Sequence, residues 1–343
     1  MFQTHCYDSW LSPQAKQSAL YAWSRLGGTL PAPLFIFLAG VSVALVTEKL
    51  RGKSVARNEI AKLTMLRGAE VFGLGILFRL QEYLLGIPWV PWTDLLRADV
   101  LNILGLSMIL MGVVCWLAGS GTPRTARLRT ISAALVSCMG VAMLTPPLWT
   151  ACRPRFLPWP VETYVNGVHV FDKPQPWLFP IFPWVAFAFA GLAIGFWLHS
   201  EFAKRNEACG FALIGAGGVA AIGASILFDR LGPTLYGVYD YWHTSPNFFL
   251  LRCGLLLGIL FFAYAWCRWG LGMTGFSPLA QLGKTSLLVY WVHIEFVYGR
   301  FSLLPKGKCG TVLATAGLAA IFVAMLALSM ARTKWKSKSA SQL

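Results

Sequence analysis

The sequence predicts an all-α membrane protein, a polytopic bundle of transmembrane helices. Of its 343 residues, 56% are hydrophobic and only 13% are charged, whereas soluble domains average about 25% charged residues. The apolar residues also fall in blocks of about 20, the length that a helix needs to cross a bilayer. Tryptophans such as Trp89 and Trp269 lie at the edges of these blocks, which is typical of side chains at a membrane interface.

The apolar blocks predict about nine spans in a single domain that covers residues 1–343. An exterior segment (1–30) precedes the bundle (31–331), and a basic tail (332–343) follows it. No internal repeat is visible, and no long linker divides the chain. The predicted spans are residues 31–48, 63–86, 95–117, 128–149, 177–199, 208–228, 247–268, 278–300 and 311–331.

Lys and Arg residues are concentrated in alternate connections, which predicts the orientation of the bundle. They are dense in the loop after the first span (49–62), in the loops around 124–129 and 204–205, and in the tail. Because cytoplasmic loops carry an excess of Lys and Arg, we expect these segments and the C-terminus to be cytoplasmic. The net charge of +15 is therefore interpreted as a topology signal, and we expect no nucleic-acid partner.

This orientation puts residues 1–30 outside the membrane. No basic start followed by an apolar run is found in them, so they do not resemble a signal peptide. A hydrophilic N-terminus would then have to cross the bilayer unaided. We therefore expect that a tenth, N-terminal span is missing and that residues 1–5 are its outer end.

Polar residues inside the predicted spans mark a candidate site. A charged residue at the centre of a membrane helix costs ~2.5–3.5 kcal/mol on insertion scales and usually faces the interior of a bundle. If the spans alternate in direction, ionisable residues from five segments lie at the outer level of the membrane. They are His5, Arg79, Glu82, Arg97, Asp99, Arg252, His293 and Glu295, with Asn102 and Tyr290 beside them.

The spacing of these residues predicts which of them share a helix face. Arg79 and Glu82 are three residues apart, as are Asp99 and Asn102, so the members of each pair are neighbours on their helix. An ordinary structural role stays open for each residue taken alone. Arg79 and Glu82 can pair locally, and Arg97 can reach the outer headgroups.

The residue types in this set suit proton transfer. Histidine has an ordinary pKa near neutrality, so His5 or His293 can act as a general base. A nearby arginine such as Arg97 can stabilise an oxyanion. The sequence contains no HxxxH, HExxH or DxD pattern, no GxSxG and no Walker A loop. Metal hydrolysis, a serine nucleophile and ATP-driven transport are therefore disfavoured.

Three segments occur in an order that is typical of one family. They are PAPLFIFLAG (31–40), RADVLNILGLS (97–107) and GKTSLLVYWVHIEF (283–296). Together they resemble the heparan-α-glucosaminide N-acetyltransferase catalytic-domain family, particularly its bacterial members, over nearly the whole chain. That family is similar to the wider group of membrane acyltransferases that acetylate bacterial polysaccharides. The resemblance implies a multi-pass protein of the bacterial cytoplasmic (inner) membrane.

The resemblance also implies an activity, with acetyl-CoA as co-substrate and no tightly bound cofactor or metal. The acetyl group would pass from cytoplasmic acetyl-CoA to a sugar amine or hydroxyl on the exterior side. The segment QTHCYDSW (3–10) is similar to the end of the family's first span, so that His5 would be its histidine. The catalytic candidates are His5, His293, Arg97 and Glu295; the substrate-binding candidates are Asp99, Asn102, Arg79, Glu82, Tyr290 and Arg252; the acetyl-CoA-binding candidates are Arg51, Lys53, Arg57, Arg67 and Lys284.

Several alternatives stay open at this point. Animal members of the family carry their catalytic histidine in the exterior loop after the first span, and this chain has no clear counterpart there. The base can therefore be His5 or His293, and the acceptor can be an amine or a hydroxyl. A transporter or flippase for a sugar or an anion would use the same polar residues, as would a non-catalytic membrane partner. We expect the bilayer and a small-molecule or glycan acceptor as partners, and a homo-oligomer is left open.

Overall fold

The protein is all-α in the computed structural model, which describes residues 1–167, 179–232, 235–237, 240–270 and 275–340. These residues contain no strand; Leu11 and Cys309 form an isolated bridge. Seven helices in the described part of the chain are long and apolar enough to cross a membrane. The predicted class, an all-α polytopic membrane protein, is confirmed.

Short connections join the helices in chain order. Their bounds are α1 (Phe2–Trp10), α2 (Ala19–Gly28), α3 (Pro31–Gly52), α4 (Arg57–Gly86), α5 (Val100–Ala118), α6 (Pro123–Trp149), α7 (Trp159–Val165), α8 (Ile181–Leu198), α9 (Glu201–Arg205), α10 (Glu207–Leu231), α11 (Pro246–Trp269), α12 (Pro278–Lys284), α13 (Ser286–Val297) and α14 (Thr311–Ala340). Short 3₁₀ segments cover Ala15–Gln17 and Trp92–Leu96.

The predicted spans correspond to α3, α4, α5, α6, α8, α10, α11 and α14, with one correction. The span predicted at 278–300 is not a continuous helix, because it breaks at Thr285 into α12 and α13. Thr285 has φ −126° and ψ 29°, and its hydroxyl donates to Ser329 Oγ on α14 at 2.7 Å. Helix α4 is long enough to span, but its charges keep it outside the seven apolar helices. Residues 177 and 178 of the predicted fifth span lie outside the described residues.

The helices form two compact units. The bundle unit comprises Ala32–Leu80 and Pro91–Ala265, and the histidine unit comprises Met1–Pro31, Gln81–Val90 and Trp266–Leu343. Helix α4 contributes its last residues to the histidine unit and the remainder to the bundle unit. The single domain predicted from the sequence stays a prediction.

In the bundle unit, glycines bring α3 and α8 into backbone contact. A Cβ atom on Gly191 would lie 1.9 Å from the carbonyl oxygen of Phe37, and one on Gly40 would lie 2.1 Å from that of Ala188. No larger residue fits at these positions unless the helices move apart. This close packing surrounds Phe187 and Phe196, which are fully buried.

In the histidine unit, α1 packs against α13 and α14. The fully buried Trp10 donates from its indole nitrogen to the hydroxyl of Ser302 at 3.0 Å. The backbone N–H of Cys309 donates to the carbonyl of Trp10, and the N–H of Ser12 donates to the carbonyl of Cys309. These bonds fix the N-terminal helix beside α13, which carries His293.

Candidate functional site

A hydrogen bond between His5 and His293 is the centre of the histidine unit's polar site. His5 Nδ1 on α1 lies 2.8 Å from His293 Nε2 on α13. The two rings are nearly parallel, with 6° between their planes and 5.1 Å between their centroids. His293 is fully buried, whereas His5 is half-buried. Two histidines that are 288 residues apart in sequence are therefore joined by a direct hydrogen bond.

The contacts of this pair determine where its protons are. His293 Nδ1 lies 2.8 Å from the carbonyl oxygen of Val289, and because a carbonyl only accepts, Nδ1 must donate. A neutral imidazole has one N–H, so His293 Nε2 carries a lone pair and accepts from His5 Nδ1–H. Since His5 is then protonated on Nδ1, its own lone pair is on Nε2.

The surroundings favour a neutral pair. Burial, together with the adjacent His293, lowers the pKa of His5 well below its ordinary value of 6.5. Phe2 and Tyr290 contact the His293 ring edge-to-face, with centroid distances of 4.9 and 5.8 Å. The ring of Tyr298 lies 5.6 Å from that of His5. Such an aromatic wall limits the solvation of an imidazolium and so disfavours the charged form.

A second series of side-chain hydrogen bonds in the same unit holds Glu295. Gln81 Nε2 donates to Glu295 Oε1 at 2.7 Å, and Trp291 Nε1 donates to Gln81 Oε1 at 2.8 Å. Glu295 is 8% exposed. A Cβ atom on Gly299 would lie 2.3 Å from Glu295 Oε2, so a larger residue there would displace the carboxyl group. The amide thus fixes the carboxyl group two residues beyond His293.

In the bundle unit, Asp99 connects α4 to the start of α5. Its carboxylate forms an ion pair with Arg79 and also accepts from the backbone N–H of Val100. Asn102 completes a capping box, because its Oδ1 accepts from the backbone N–H of Asp99 at 3.1 Å. Asn102 Nδ2 also donates to the carbonyl of Phe72 on α4 at 3.2 Å. Asp99 and Asn102 are in contact through this cap, and Arg79 is the partner that α4 supplies.

Tyr164 on α7 is a neighbour of this ion pair that the sequence analysis missed. Its ring centroid is 5.9 Å from that of Phe72, and its buried hydroxyl has no hydrogen-bond partner among the described residues. Burial raises its pKa to about 12, while the nearby Arg79 acts in the opposite direction. A tyrosine in a loop rich in Pro and Trp carries no sequence signal that singles it out.

The remaining outer candidates are divided between the two units. Arg97 follows the 3₁₀ segment Trp92–Leu96 in the bundle unit. Arg252 lies on α11, also in the bundle unit, and stacks on the ring of Phe248. Glu82 belongs to the histidine unit. That all these residues line one pocket stays a prediction.

A basic cavity lies near the end of α3 in the bundle unit. Its volume is about 240 Å³, and Arg51 and Arg57 are among its lining residues. Glu48 accepts from Arg51 at 2.9 Å and from Arg127 on α6 at 2.6 Å, so this group of charges is positive overall. Arg57 stacks on Trp116, with 5.6 Å between guanidinium and ring centre. The cavity therefore suits an anionic ligand.

The other predicted acetyl-CoA contacts lie elsewhere. Lys53 is exposed and does not line the cavity. Arg67 pairs with Glu70 at 2.7 Å on the exposed surface of α4. Lys284 ends α12 in the histidine unit. Within the described residues, no group of three or more His, Cys, Asp or Glu side chains could hold a metal ion.

Comparison with known proteins identifies the family. The profile described as "Heparan-alpha-glucosaminide N-acetyltransferase, catalytic" matches residues 6–228, which is well over half of the chain. The chain belongs to this family. The match confirms the resemblance seen in the sequence and points to a membrane acetyltransferase. No curated protein matches the chain.

The matched region of the acetyltransferase family covers one part of the site. Arg79, Arg97, Asp99 and the basic cavity lie inside residues 6–228. His5 lies one residue before the match, and the segment with His293 lies after it. The family assignment therefore rests mainly on the bundle unit, while the histidine pair rests on the geometry described above.

Proposed function

We propose that the chain transfers the acetyl group of acetyl-CoA to an amine or hydroxyl of a sugar acceptor, across a bacterial cytoplasmic membrane. The observation that carries the proposal is the hydrogen bond from His5 Nδ1–H to His293 Nε2. It leaves a neutral base with its lone pair on His5 Nε2. Membership of an acetyltransferase family supports acetyl transfer as the reaction that this base serves.

The reaction requires the movement of one proton. As the acceptor nitrogen or oxygen attacks the thioester carbonyl, His5 Nε2 removes the acceptor's proton. His5 becomes an imidazolium ion, and its Nδ1–H remains bonded to the lone pair of His293, which stabilises the positive charge. The C–S bond then breaks, and the imidazolium gives its proton to the departing CoA thiolate. One bond to the acyl carbon forms, one breaks, and the base is restored.

His293 is a positioning residue in this mechanism. Its Nδ1–H is held by the carbonyl of Val289, which keeps its lone pair directed at His5. The arrangement resembles the role of the carboxylate that orients the histidine of a hydrolase triad, with a neutral acceptor in its place. Glu295, held by Gln81, is the proposed contact for the acceptor.

The basic cavity of the bundle unit is the proposed binding site for the phosphates of acetyl-CoA. Arg51 and Arg57 line it, and Arg51 also lies 5.3 Å above the ring of Phe196. Arginine binds phosphate through two parallel N–H donors. The cavity lies beside loops rich in Lys and Arg, which we assign to the cytoplasm where acetyl-CoA is made available.

Acetyl transfer in proteoliposomes tests the proposal. Vesicles containing the full chain receive acetyl-CoA labelled in its acetyl group on one side and glucosamine on the other, and we expect labelled acetylglucosamine to form. Arg57→Gln should raise the KM for acetyl-CoA by about two- to fivefold without changing kcat. Arg205→Gln, which removes an exposed arginine outside the cavity, should leave the KM at the wild-type value. Glucosamine flux without consumption of acetyl-CoA would contradict the proposal and favour a transporter.

The pH dependence of transfer follows from the low pKa of His5. The base must be neutral. Because burial and His293 lower its pKa, His5 is still neutral at pH 6.5 and becomes charged only at lower pH. We therefore expect kcat/KM for a sugar acceptor without an amine to stay constant down through pH 6.5 and to fall only at lower pH. The unfolded chain binds more protons below pH 6.5, so the free energy of unfolding should also decrease there as the pH falls. An acid limb at or above pH 6.5 would show that a different group is the base.

A further inference from the structure

Arg252 is a cation in a helix long and apolar enough to cross a membrane, without a protein counter-charge in the described part of the chain. It lies in α11, six residues after the helix begins at Pro246, and is half-buried. The structure gives it no ion pair or hydrogen bond among the described residues, and its Nε is buried without a partner. Ionisable residues in such positions are costly and usually have a functional partner.

The guanidinium group packs on an aromatic ring. Its central carbon lies 3.9 Å from the ring centre of Phe248, which is four residues earlier and therefore on the same helix face. Phe248 in turn contacts Trp242 and Tyr241, with centroid distances of 5.0 and 5.4 Å. Stacking occupies a face of the guanidinium and leaves its N–H donors, which lie in its plane, for another ligand.

These features fit a bound phosphate group. A phosphate accepts two parallel N–H donors from arginine and neutralises its charge. A neutral sugar hydroxyl would leave the positive charge uncompensated in a poorly solvated position. A carboxylate of the protein would neutralise this charge, but no carboxylate of the described residues pairs with Arg252. The ligand is thus expected to bring the negative charge itself.

We propose that Arg252 binds the phosphate group of a ligand, carried either by a sugar acceptor or by a phospholipid of the bilayer. The phosphate site itself is independent of the acetyltransferase reaction. Assigning this site to the acceptor rests on the proposed function. The acceptor would then be a sugar phosphate rather than a neutral sugar.

Binding measurements without acetyl-CoA test the site. The full chain is placed in phosphatidylcholine nanodiscs, and equilibrium dialysis compares labelled glucosamine 6-phosphate with labelled glucosamine. In parallel, native mass spectrometry compares retention of phosphatidylglycerol with that of phosphatidylcholine. Arg252→Gln should weaken binding of the phosphate ligand by about 10- to 100-fold. Arg252→Lys keeps the charge but loses the paired donors, so its affinity should lie between those of the wild type and Arg252→Gln.

Arg230→Gln is the matched control. Arg230 is an exposed arginine near the end of α10, so the substitution removes the same charge and should leave binding at the wild-type level. Loss of glucosamine 6-phosphate binding in Arg252→Gln supports a phosphorylated acceptor, and loss of phosphatidylglycerol alone supports a lipid headgroup. If neither ligand depends on Arg252, the phosphate site is wrong. If the phosphate ligand binds through Arg252 but the chain transfers no acetyl group, the phosphate site stands and only the proposed function is wrong.

Discussion

Replacing His5 with alanine is expected to lower the rate of acetyl transfer by about 10²–10⁴-fold, the usual contribution of a general base. The hydrogen bonds from His5 to His293 and from His293 to Val289 leave a lone pair on His5 Nε2, which can take the proton of the acceptor. The loss should appear in kcat, because the proton is removed during the chemical step. Steady-state kinetics in proteoliposomes at saturating acetyl-CoA measure it.

Variants of His293 separate positioning from proton removal. His293→Leu removes the acceptor of the His5 Nδ1–H bond, whereas His293→Gln offers a carbonyl oxygen in its place. We expect His293→Gln to keep more activity than His293→Leu, and both to keep more than His5→Ala. His243→Ala is the control, since His243 is exposed and bonds locally to Asp240. If His5→Ala retains transfer while His293→Ala abolishes it, the roles of the two histidines are reversed.

The sequence could predict that both histidines matter, but not how they share their protons. His293 stands out because it lies in an apolar stretch, where a titratable side chain is costly, and His5 was identified through the family resemblance. The direction of their hydrogen bond depends on the carbonyl of Val289 at 2.8 Å. A backbone carbonyl has no signature in a sequence, so His5 and His293 were equivalent candidates until the structure placed it.

Contacts between distant segments explain the other differences. Hydropathy is continuous across 278–300, but the helix breaks at Thr285, where the threonine hydroxyl bonds to Ser329 on α14. Gln81 was overlooked because it is uncharged and binds Glu295, which is 214 residues away. Local spacing predicted that Asp99 and Asn102 are neighbours but did not predict these two contacts, because they depend on which helices pack together.

The ion pair of Arg79 and Asp99 shows the same dependence on packing. Helices α4 and α5 approach closely where glycines face each other: a Cβ atom on Gly68 would lie 2.7 Å from the carbonyl oxygen of Gly105. A Cβ atom on Gly75 would lie 2.6 Å from Asn102 Nδ2. This approach brings the arginine of one helix to the N-cap of the other. The sequence contained both charged residues, and the glycines determine that they meet.

Replacing Asp99 with alanine is expected to destabilise the bundle unit by several kcal/mol. Breaking a buried ion pair from one side costs roughly 3–5 kcal/mol, and Asp99 is 3% exposed. The loss of an N-cap adds about 1 kcal/mol, because the carboxylate also accepts from the backbone of α5. Thermal unfolding of the purified chain in detergent, followed by size-exclusion chromatography, should show a clear decrease in midpoint temperature.

Two further substitutions distinguish the two roles of this carboxylate. Asp99→Asn keeps the cap but removes the negative charge, so it should destabilise less than Asp99→Ala. Adding Arg79→Met to Asp99→Asn removes the buried positive charge as well and should recover part of the lost stability, because a buried cation whose carboxylate is lost costs more than an apolar side chain there. Asp94→Ala, in the neighbouring 3₁₀ segment, should change the unfolding free energy by no more than about 0.5 kcal/mol. A double variant no more stable than Asp99→Asn alone would mean that the ion pair with Arg79 is not what Asp99 contributes, and that its role is confined to capping α5.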